Sequence, residues 1–311
     1  MALQATIPTS PSLPLLARLS LVARDIKLSH SVFALPFALL ATFMAAAADS
    51  RLPDAATLGL IVVCMVLART VAMTMNRWLD ATLDAMNPRT AGRAIPSGSL
   101  TPPFVLGVAI ACAIAFVVAA TGFWLLNENF WPVMLSPFVL AWLIGYSLTK
   151  RFTWLCHLFL GAALAISPLA AVIAVHPPLL ASAAPHLLAT MVLCWVAGFD
   201  VIYALADVRS DRSVGVHSMP AKLGERRALV VGAALHLVGI LALVALWHTS
   251  PVLSTAFLVG TAAVAALLMV EHAIVWTSGT RHLNVAFFTL NGLVSFLLGG
   301  LGIFDVVRSG W

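Results

Sequence analysis

The chain has 311 residues, of which 61% are hydrophobic and 9% are charged, with a mean hydropathy of +1.02 and a formal net charge of +5. This composition excludes an ordinary soluble domain, because apolar stretches near ~20 residues are typical of transmembrane helices. The basic balance does not indicate a nucleic-acid ligand, since the basic residues lie in short segments between apolar runs. The four cysteines are scattered through apolar segments without a CxxC spacing, so they predict no metal or redox motif.

Charges and helix breakers divide the sequence into nine predicted membrane-spanning helices. They cover residues 30–48, 56–78, 101–125, 131–148, 154–175, 187–207, 229–248, 252–275 and 284–306. Proline-containing breaks such as His176-Pro177-Pro178 split the apolar runs that are long enough for two spans. We therefore predict an all-α polytopic bundle, in which residues 1–20 form a disordered tail and residues 21–311 form a single membrane-embedded domain.

The positions of lysine and arginine predict how this bundle is oriented. With the N-terminus in the cytoplasm, every one of the 17 basic residues lies on the cytoplasmic side except Arg51, Arg308 and Arg69, the last of which lies within a span. Loops on the cytoplasmic side of membrane proteins carry an excess of basic residues. The pattern therefore predicts a multi-pass protein of the cell inner membrane with a cytoplasmic N-terminus.

Two acidic runs with a four-residue spacing lie at the cytoplasmic ends of predicted spans. They are Asn76-x3-Asp80-x3-Asp84, called the first ladder, and Asp200-x2-Tyr203-x3-Asp207-x3-Asp211, called the second ladder. In an α-helix, side chains four residues apart lie on one face. An aspartate at the centre of a membrane helix costs ~2.5–3.5 kcal/mol, so acidic residues in such helices are usually functional.

Basic side chains lie close to both ladders in the predicted topology. Arg89 and Arg93 follow the first ladder directly, and Lys150 and Arg151 lie in a neighbouring cytoplasmic loop. Mg²⁺ is commonly held by one or two carboxylates together with substrate phosphates, and arginine binds phosphate in a bidentate manner. The pattern therefore predicts a magnesium and diphosphate site. For Lys150 and Arg151, a role as topology markers is the alternative.

Simple ion pairing at helix ends is the alternative explanation of the ladders. Asp80 or Asp84 could pair with Arg77, and the second ladder could pair with Arg209 or Arg212. The same spacing in two places on one membrane face instead favours a shared functional site. The nine histidines show no metal-ligand spacing with one another, and we expect them to have packing or interfacial roles.

The sequence resembles the UbiA-type intramembrane prenyltransferases over essentially its whole length. The segments that resemble their first motif are Asn76-Arg-Trp-Leu-Asp80-Ala-Thr-Leu-Asp84, Asn87-Pro-Arg89-Thr90-Ala-Gly-Arg93 and Ile95-Pro96-Ser97-Gly98. The second ladder resembles their second motif, and Tyr146-x3-Lys150-Arg151 lies between the two. Where the family commonly has Arg-Pro, this chain has Arg93-Ala94-Ile95-Pro96, a change that moves the proline and keeps the charged residues.

The resemblance implies Mg²⁺-dependent transfer of a polyprenyl group from its diphosphate to an aromatic acid. It implies metal ligation by Asp80, Asp84, Asp207 and Asp211, and diphosphate contacts by Asn76, Arg89, Arg93, Lys150 and Arg151. Asn76 would donate to the diphosphate or orient a metal-bound water. Asp200 would handle a proton or stabilise the allylic cation, and Tyr203 would shield that cation with its ring face.

The acceptor is less strongly indicated by the sequence than the diphosphate. Arg69 lies seven residues before Asn76, about two helical turns, and we expect it to bind the carboxylate of the acceptor. Pairing with a ladder aspartate is the alternative. The segments 29–37 and 287–292 resemble the 4-hydroxybenzoate branch of the family or its menaquinone-pathway relatives. They favour 4-hydroxybenzoate as the acceptor, with a naphthoate-type precursor as the alternative.

Two other membrane protein classes also place aspartates within spans. A secondary transporter would have them near the bilayer midplane at broken helices, whereas both ladders here lead into arginine-rich cytoplasmic segments. A membrane phosphotransferase acting on nucleotide-linked alcohols would open its motif with Asp-Gly followed by Ala-Arg, and residues 76–93 lack that arrangement. The sequence therefore favours prenyl transfer.

Overall fold

The computed structural model describes residues 13–27, 34–282 and 289–310, and every regular element within these ranges is helical. The α-helices are α1 (Leu15–Asp25), α2 (Leu35–Ala47), α3 (Ala55–Leu79), α4 (Ala81–Met86), α5 (Pro102–Asn127), α6 (Trp131–Thr149), α7 (Cys156–Val175), α8 (Ala183–Tyr203), α9 (Val208–Val214), α10 (Met219–Leu223), α11 (Glu225–Thr249), α12 (Thr255–Ser278) and α13 (Asn291–Ser309). Short 3-10 helices link several of them, including Ala204–Asp207 between α8 and α9.

Eight helices of the described chain are long and apolar enough to cross a membrane: α3, α5, α6, α7, α8 with its continuation to Val214, α11, α12 and α13. The predicted all-α polytopic membrane bundle is therefore confirmed. These eight helices correspond to eight of the nine predicted spans. The other prediction, residues 30–48, corresponds to α2, which has 13 residues, and residues 28–33 before it lie outside the described ranges.

The short helix α2 is buried within the bundle, where it packs mainly against α7 and α13. Its sequence is apolar on every side, as expected for a helix that is surrounded by protein. The Phe37 ring lies 5.3 Å from the Trp195 ring of α8, measured between ring centroids. At about 1.5 Å per residue, α2 extends about 20 Å, which is less than the ~30 Å of a bilayer core.

Helix α1 shows that the N-terminal tail is shorter than predicted. The helix begins at Leu15, so the disordered tail predicted over residues 1–20 does not reach residue 20. The physical reason is tertiary packing: Val22 and Ile26 are buried and pack in one cluster with Ile95. The described part of this region starts at residue 13.

Helix α8 lies at the centre of the bundle, between α7 and α11. Its Trp195 is fully buried and donates a hydrogen bond to Asn291 Oδ1 at 2.7 Å. Asn291 Nδ2 in turn donates to Glu271 Oε1 at 2.9 Å. Buried polar groups need such partners because an unpaired one is costly. This chain of hydrogen bonds joins α8 to α12 and α13.

Helices α7 and α8 come very close together at Gly161. A Cβ atom at this position would lie 2.3 Å from the carbonyl oxygen of Leu193. Small residues allow such an approach between membrane helices, since their backbones can touch. The first turns of α7 are therefore held directly against α8.

Candidate active site

The first ladder is interrupted at its middle residue. Helix α3 ends at Leu79, and Asp80 follows with φ −97° and ψ 5°, in a sparsely populated region of backbone space where many active-site residues lie. Arg151 Nη2 donates to the carbonyl oxygen of Leu79 at 2.5 Å. That carbonyl would accept the next backbone hydrogen bond of a continuous helix. The structure therefore corrects the expectation of a single helix through Asn76, Asp80 and Asp84.

Each carboxylate of the first ladder is nevertheless held by a cation of its own. Asp80 is fully buried, and its Oδ2 accepts from Asn76 Nδ2 at 2.8 Å and from Lys150 Nζ at 2.5 Å. Arg93 Nη1 donates to both oxygens of Asp84, at 2.6 and 2.7 Å. Charge-assisted bonds of this kind are the stronger hydrogen bonds of proteins.

The second ladder breaks in the same way. After α8 ends at Tyr203, a 3-10 turn leads to Asp207, which has φ −106° and ψ 0°. Each ladder thus has its middle aspartate in nearly the same backbone conformation, at the junction with a short following helix. The continuous helix expected through the second ladder is corrected for this reason.

Asp207 joins the two ladders. It accepts from Arg89 Nε at 2.8 Å and from Asn87 Nδ2 at 2.9 Å, and Arg89 Nη2 donates to its other oxygen. Arg89 Nη1 also donates to the Tyr203 hydroxyl at 2.8 Å, and the Arg89 guanidinium lies 5.0 Å from the centre of the Tyr203 ring. The segment after the first ladder is therefore fixed to the second ladder by a bidentate arginine.

The other two aspartates of the second ladder have partners without a permanent charge. Asp211 Oδ2 accepts from Ser218 Oγ at 2.6 Å. Asp200 Oδ2 lies 2.7 Å from His157 Nδ1. The histidine was expected to have a packing role, and its contact with Asp200 could not be found from local spacing because 43 residues separate the two.

These side chains surround one cavity of about 730 Å³. The predicted site residues that line it are Arg69, Asn76, Asp84, Arg89, Arg93, Lys150, Asp200, Tyr203, Asp207 and Asp211. Asp80 lies directly behind this wall, bonded to Asn76 and Lys150. Arg151 contacts the end of α3, with Nη2 3.7 Å from Asp80 Oδ1. The structure thus brings the two ladders and their cations to one place.

Several cations that line the cavity lie close enough to influence one another. Burial lowers the pKa of Lys27, and the charges of Arg77, Arg89 and Arg93 lower it further. Burial also acts to lower the pKa of Arg89, but the hydrogen bond and charge of Asp207 outweigh it and raise that pKa. A cluster of cations that repel one another favours an anionic ligand that can neutralise them.

A second cavity of about 380 Å³ continues from the first between α3, α5, α6 and α7. Its wall is mostly apolar, with Ile61, Phe116 and Leu143 among the lining side chains. Arg69 and Tyr146 line both cavities, so they mark the boundary between the charged space and the apolar space.

The ion pairs proposed as the alternative explanation of the ladders are not formed within the described ranges. Arg77 instead pairs with Asp25, at 3.5 Å, and donates to Asn76 Oδ1 at 2.7 Å. Arg212 donates to the carbonyl oxygen of Ala221. Arg69, the candidate acceptor residue, forms no ion pair with a ladder aspartate in the part of the chain that is described, and its buried Nε lacks a hydrogen-bond partner there.

The donor set around the cavity fits a magnesium ion that shares its coordination with a ligand. Within the described residues, no three acidic, histidine or cysteine side chains are grouped closely enough to hold a metal ion alone. Carboxylates of both ladders nevertheless line one space, and the buried Asp80 Oδ1 accepts no hydrogen bond. Mg²⁺ usually binds to one or two carboxylates plus phosphate oxygens and water, so this arrangement suits it.

A protein-family model shows to which family the chain belongs, as the motifs indicate. The UbiA prenyltransferase family model matches residues 34–293, which contain both ladders and all the spans between them. The chain belongs to the UbiA prenyltransferase family. With eight helices of membrane-spanning length, this UbiA family member is an integral membrane protein.

Two curated relatives of this UbiA protein share one functional name. The chain is 30% identical over 190 residues to 4-hydroxybenzoate octaprenyltransferase of Serratia proteamaculans, covering 60% of this chain and 61% of that one. It is 29% identical over 179 residues to the protein of the same name from Francisella tularensis subsp. novicida, covering 58% and 61%. The matched regions therefore span less than two thirds of these relatives.

Solved structures have the same fold. The apo structure of a UbiA homolog from Aeropyrum pernix superimposes with a TM-score of 0.79 at 29% identity, covering 89% of this chain and 98% of that one. A UbiA homolog from Archaeoglobus fulgidus bound to GPP and Mg²⁺ superimposes with a TM-score of 0.67 at 16% identity, covering 92% and 99%. The UbiA bundle is thus shared over almost the full length of these chains.

Proposed function

We propose that this protein transfers a polyprenyl group from a polyprenyl diphosphate to 4-hydroxybenzoate in a Mg²⁺-dependent reaction. The observation that carries the proposal is the charged cavity, in which carboxylates from both ladders meet Arg89, Arg93 and Lys150 beside a second, apolar cavity. Family membership and the names of the curated relatives support it. The charged space suits the diphosphate and the apolar space suits the prenyl chain.

The cations of the site have a defined role in this proposal. Arg89, Arg93 and Lys150 are held by Asp207, Asp84 and Asp80, so their positions are fixed before the substrate binds. Preorganised positive charge of this kind stabilises negative charge that develops in a transition state. Arg151 fixes the break at Leu79, and Asn76 presents its amide to the same space.

Mg²⁺ would be held by Asp80, Asp84, Asp207 and Asp211 together with the diphosphate, and it would neutralise charge on the leaving group as a Lewis acid. The protein's own groups prepare this arrangement. The salt bridges from Lys150, Arg93 and Arg89 fix the positions of the carboxylates of Asp80, Asp84 and Asp207 at and behind the wall of the cavity.

The aromatic half of the reaction involves a different set of side chains. Arg69, at the boundary of the two cavities, would bind the carboxylate of 4-hydroxybenzoate with its unpartnered Nε and its remaining N–H groups. Tyr203 would face the allylic cation with its ring, and Asp200 would take the proton that the acceptor loses. The positive-inside pattern supports an orientation with this site facing the cytoplasm and the protein in the cell inner membrane.

The proposal is tested by diphosphate release from purified membranes supplied with a radiolabelled polyprenyl diphosphate. We expect release that requires both Mg²⁺ and an aromatic acid, together with a labelled aromatic product. An acceptor panel containing 4-hydroxybenzoate and a naphthoate-type acid then identifies the substrate. A secondary transporter would release no diphosphate, and this result would overturn the proposal.

The role of Arg69 is tested by Arg69→Ala. We expect the KM for the aromatic acid to rise by about tenfold or more, since a charge-assisted bidentate contact is lost. The KM for the prenyl diphosphate should change less. A rise in the diphosphate KM with an unchanged acceptor KM would contradict the assignment.

A further inference from the structure

His157 is the one partner that orients Asp200 within the described residues. The imidazole is 3% exposed, lies near the start of α7 and lines the charged cavity together with Asp200. Its two ring nitrogens contact different groups: Nδ1 lies 2.7 Å from Asp200 Oδ2, and Nε2 lies 3.2 Å from the backbone nitrogen of Met219.

These two contacts decide which nitrogen carries the proton. A backbone N–H can only donate a hydrogen bond, so Nε2 must accept from Met219 and must be unprotonated. The proton of the ring is therefore on Nδ1, which donates to the Asp200 carboxylate. Both ring nitrogens are therefore satisfied, and the ring could take up a proton at Nε2 only by losing the bond from Met219.

The role follows from this fixed tautomer. We propose that His157 is a positioning residue that holds the Asp200 carboxylate correctly turned to remove the proton from the aromatic acceptor. The inference rests on the proposed prenyl transfer. It assigns a function to a buried histidine that has no metal-ligand or motif spacing.

The bonds and charges of the step balance within the proposed reaction. The C–O bond between the prenyl carbon and the diphosphate breaks, and its electron pair leaves with the diphosphate. A π electron pair of the acceptor ring forms the new C–C bond, and the proton that the acceptor loses goes to Asp200. His157 keeps its own proton throughout, because it donates a hydrogen bond and transfers nothing.

The backbone donor that fixes His157 is next to a residue that contacts the second ladder. Ser218 Oγ donates to Asp211 Oδ2 at 2.6 Å, and the next residue, Met219, donates its N–H to His157. Both residues are buried, with 3% and 2% exposure. The segment that starts α10 thus positions a diphosphate-side aspartate and the acceptor-side base at the same time.

The test compares two substitutions of His157. His157→Gln can preserve both contacts, since an amide has one donating and one accepting end. His157→Leu removes both. For His157→Leu we expect kcat for prenyl transfer to fall by about 10-fold to 100-fold, below the 10²–10⁴ that general acid–base groups contribute, with the KM for the prenyl diphosphate unchanged within about twofold. His157→Gln should restore most of the lost rate.

A second comparison separates positioning from general damage. In an Asp200→Asn background, His157→Leu should cause no further loss of transfer, because the two residues act as one unit. His236→Gln is the matched control, since His236 is also 3% exposed and accepts and donates within the bundle, away from the cavity. It should leave transfer unchanged. Unfolding curves in detergent show whether each variant is folded.

Two results would overturn the inference. One is a full additive loss from His157→Leu in the Asp200→Asn background, and the other is a rise in the diphosphate KM with an unchanged kcat. If His157→Leu fails to fold, the test rests on His157→Gln. A folded His157→Gln variant that transfers no faster than Asp200→Asn would contradict the positioning role of His157. An inactive wild-type protein would instead contradict the proposed function, so the two failures are distinguishable.

Discussion

The two ladders have the same spacing and the same backbone break, yet their carboxylates have different partners. In the first ladder, Asp80 is paired with Lys150, and Asp84 is paired with Arg93. In the second ladder, Asp207 alone is paired with an arginine or lysine among the described residues, and that arginine lies in the segment after the first ladder. The remaining two aspartates contact an imidazole and a hydroxyl.

This difference indicates that the carboxylates around the one cavity are suited to different tasks. A carboxylate that is paired with a cation keeps its negative charge and lends rigidity to the cation, which suits diphosphate binding. A carboxylate with an uncharged partner is freer to accept a proton. The contact with His157 supports the proposed role of Asp200 toward the acceptor, although its place in the sequence suggests equivalence with the other ladder aspartates.

The largest effect is expected from Asp80→Asn, which removes the charge that Lys150 and Arg151 share. Asp80 is fully buried but Lys150 and Arg151 are partly exposed, so we expect a loss of about 2 kcal/mol in the free energy of unfolding, the usual contribution of a hydrogen bond to a charged group. Transfer should fall by more than about 100-fold, since the cation and the metal ligand are disturbed together. Equilibrium unfolding in detergent and transfer assays measure the two effects.

The control for this change is Asp49→Asn, at an exposed carboxylate that contacts Arg51 and His176. Exposed ion pairs contribute about 0–1 kcal/mol, so this variant should have nearly the stability of the wild type. Equal losses from the two substitutions would mean that the burial of Asp80 does not matter, and the contrast between the ladders would lose its physical basis.

An intermediate effect is expected from Arg89→Lys. Lysine keeps the charge but loses the fork that contacts Asp207 and Tyr203 together. We expect the KM for the prenyl diphosphate to rise by about tenfold, which corresponds to about 1.4 kcal/mol. Arg209→Lys, at an exposed position of α9, is the control and should leave the KM unchanged. An equal KM for the Arg89 and Arg209 variants would show that the charge alone joins the ladders.

The smallest effect is expected from Ser218→Ala, which removes the hydroxyl donor to Asp211. A hydrogen bond of this kind contributes about 1 kcal/mol, so transfer should fall by about fivefold. Ser213→Ala is the control, because Ser213 is exposed and bonds only to a nearby carbonyl. A larger loss of transfer than in Arg89→Lys would show that Asp211 depends on its partner as strongly as the ion-paired carboxylates do. That result would contradict the contrast between the two ladders.

The sequence predicted much of this arrangement, and the missing parts have physical reasons. The all-α bundle followed from apolar runs, and the four-residue spacing gave both ladders. The helix breaks at Asp80 and Asp207 were missed. The first break is stabilised by Arg151, which lies 72 residues from Leu79 and so leaves no local signal in the sequence. His157 was missed for a similar reason, since its partners are on α8 and at the start of α10.

The close approach at Gly161 limits how the cavity of this protein could be altered by substitution. Gly161 lies one turn after His157, and its backbone touches Leu193 without a side chain between them. Even an alanine would push α7 from α8 and separate the histidine from Asp200. Substitutions that reshape the cavity should therefore leave this helix pair unchanged and be placed on another helix of its lining, for example at Met73 of α3.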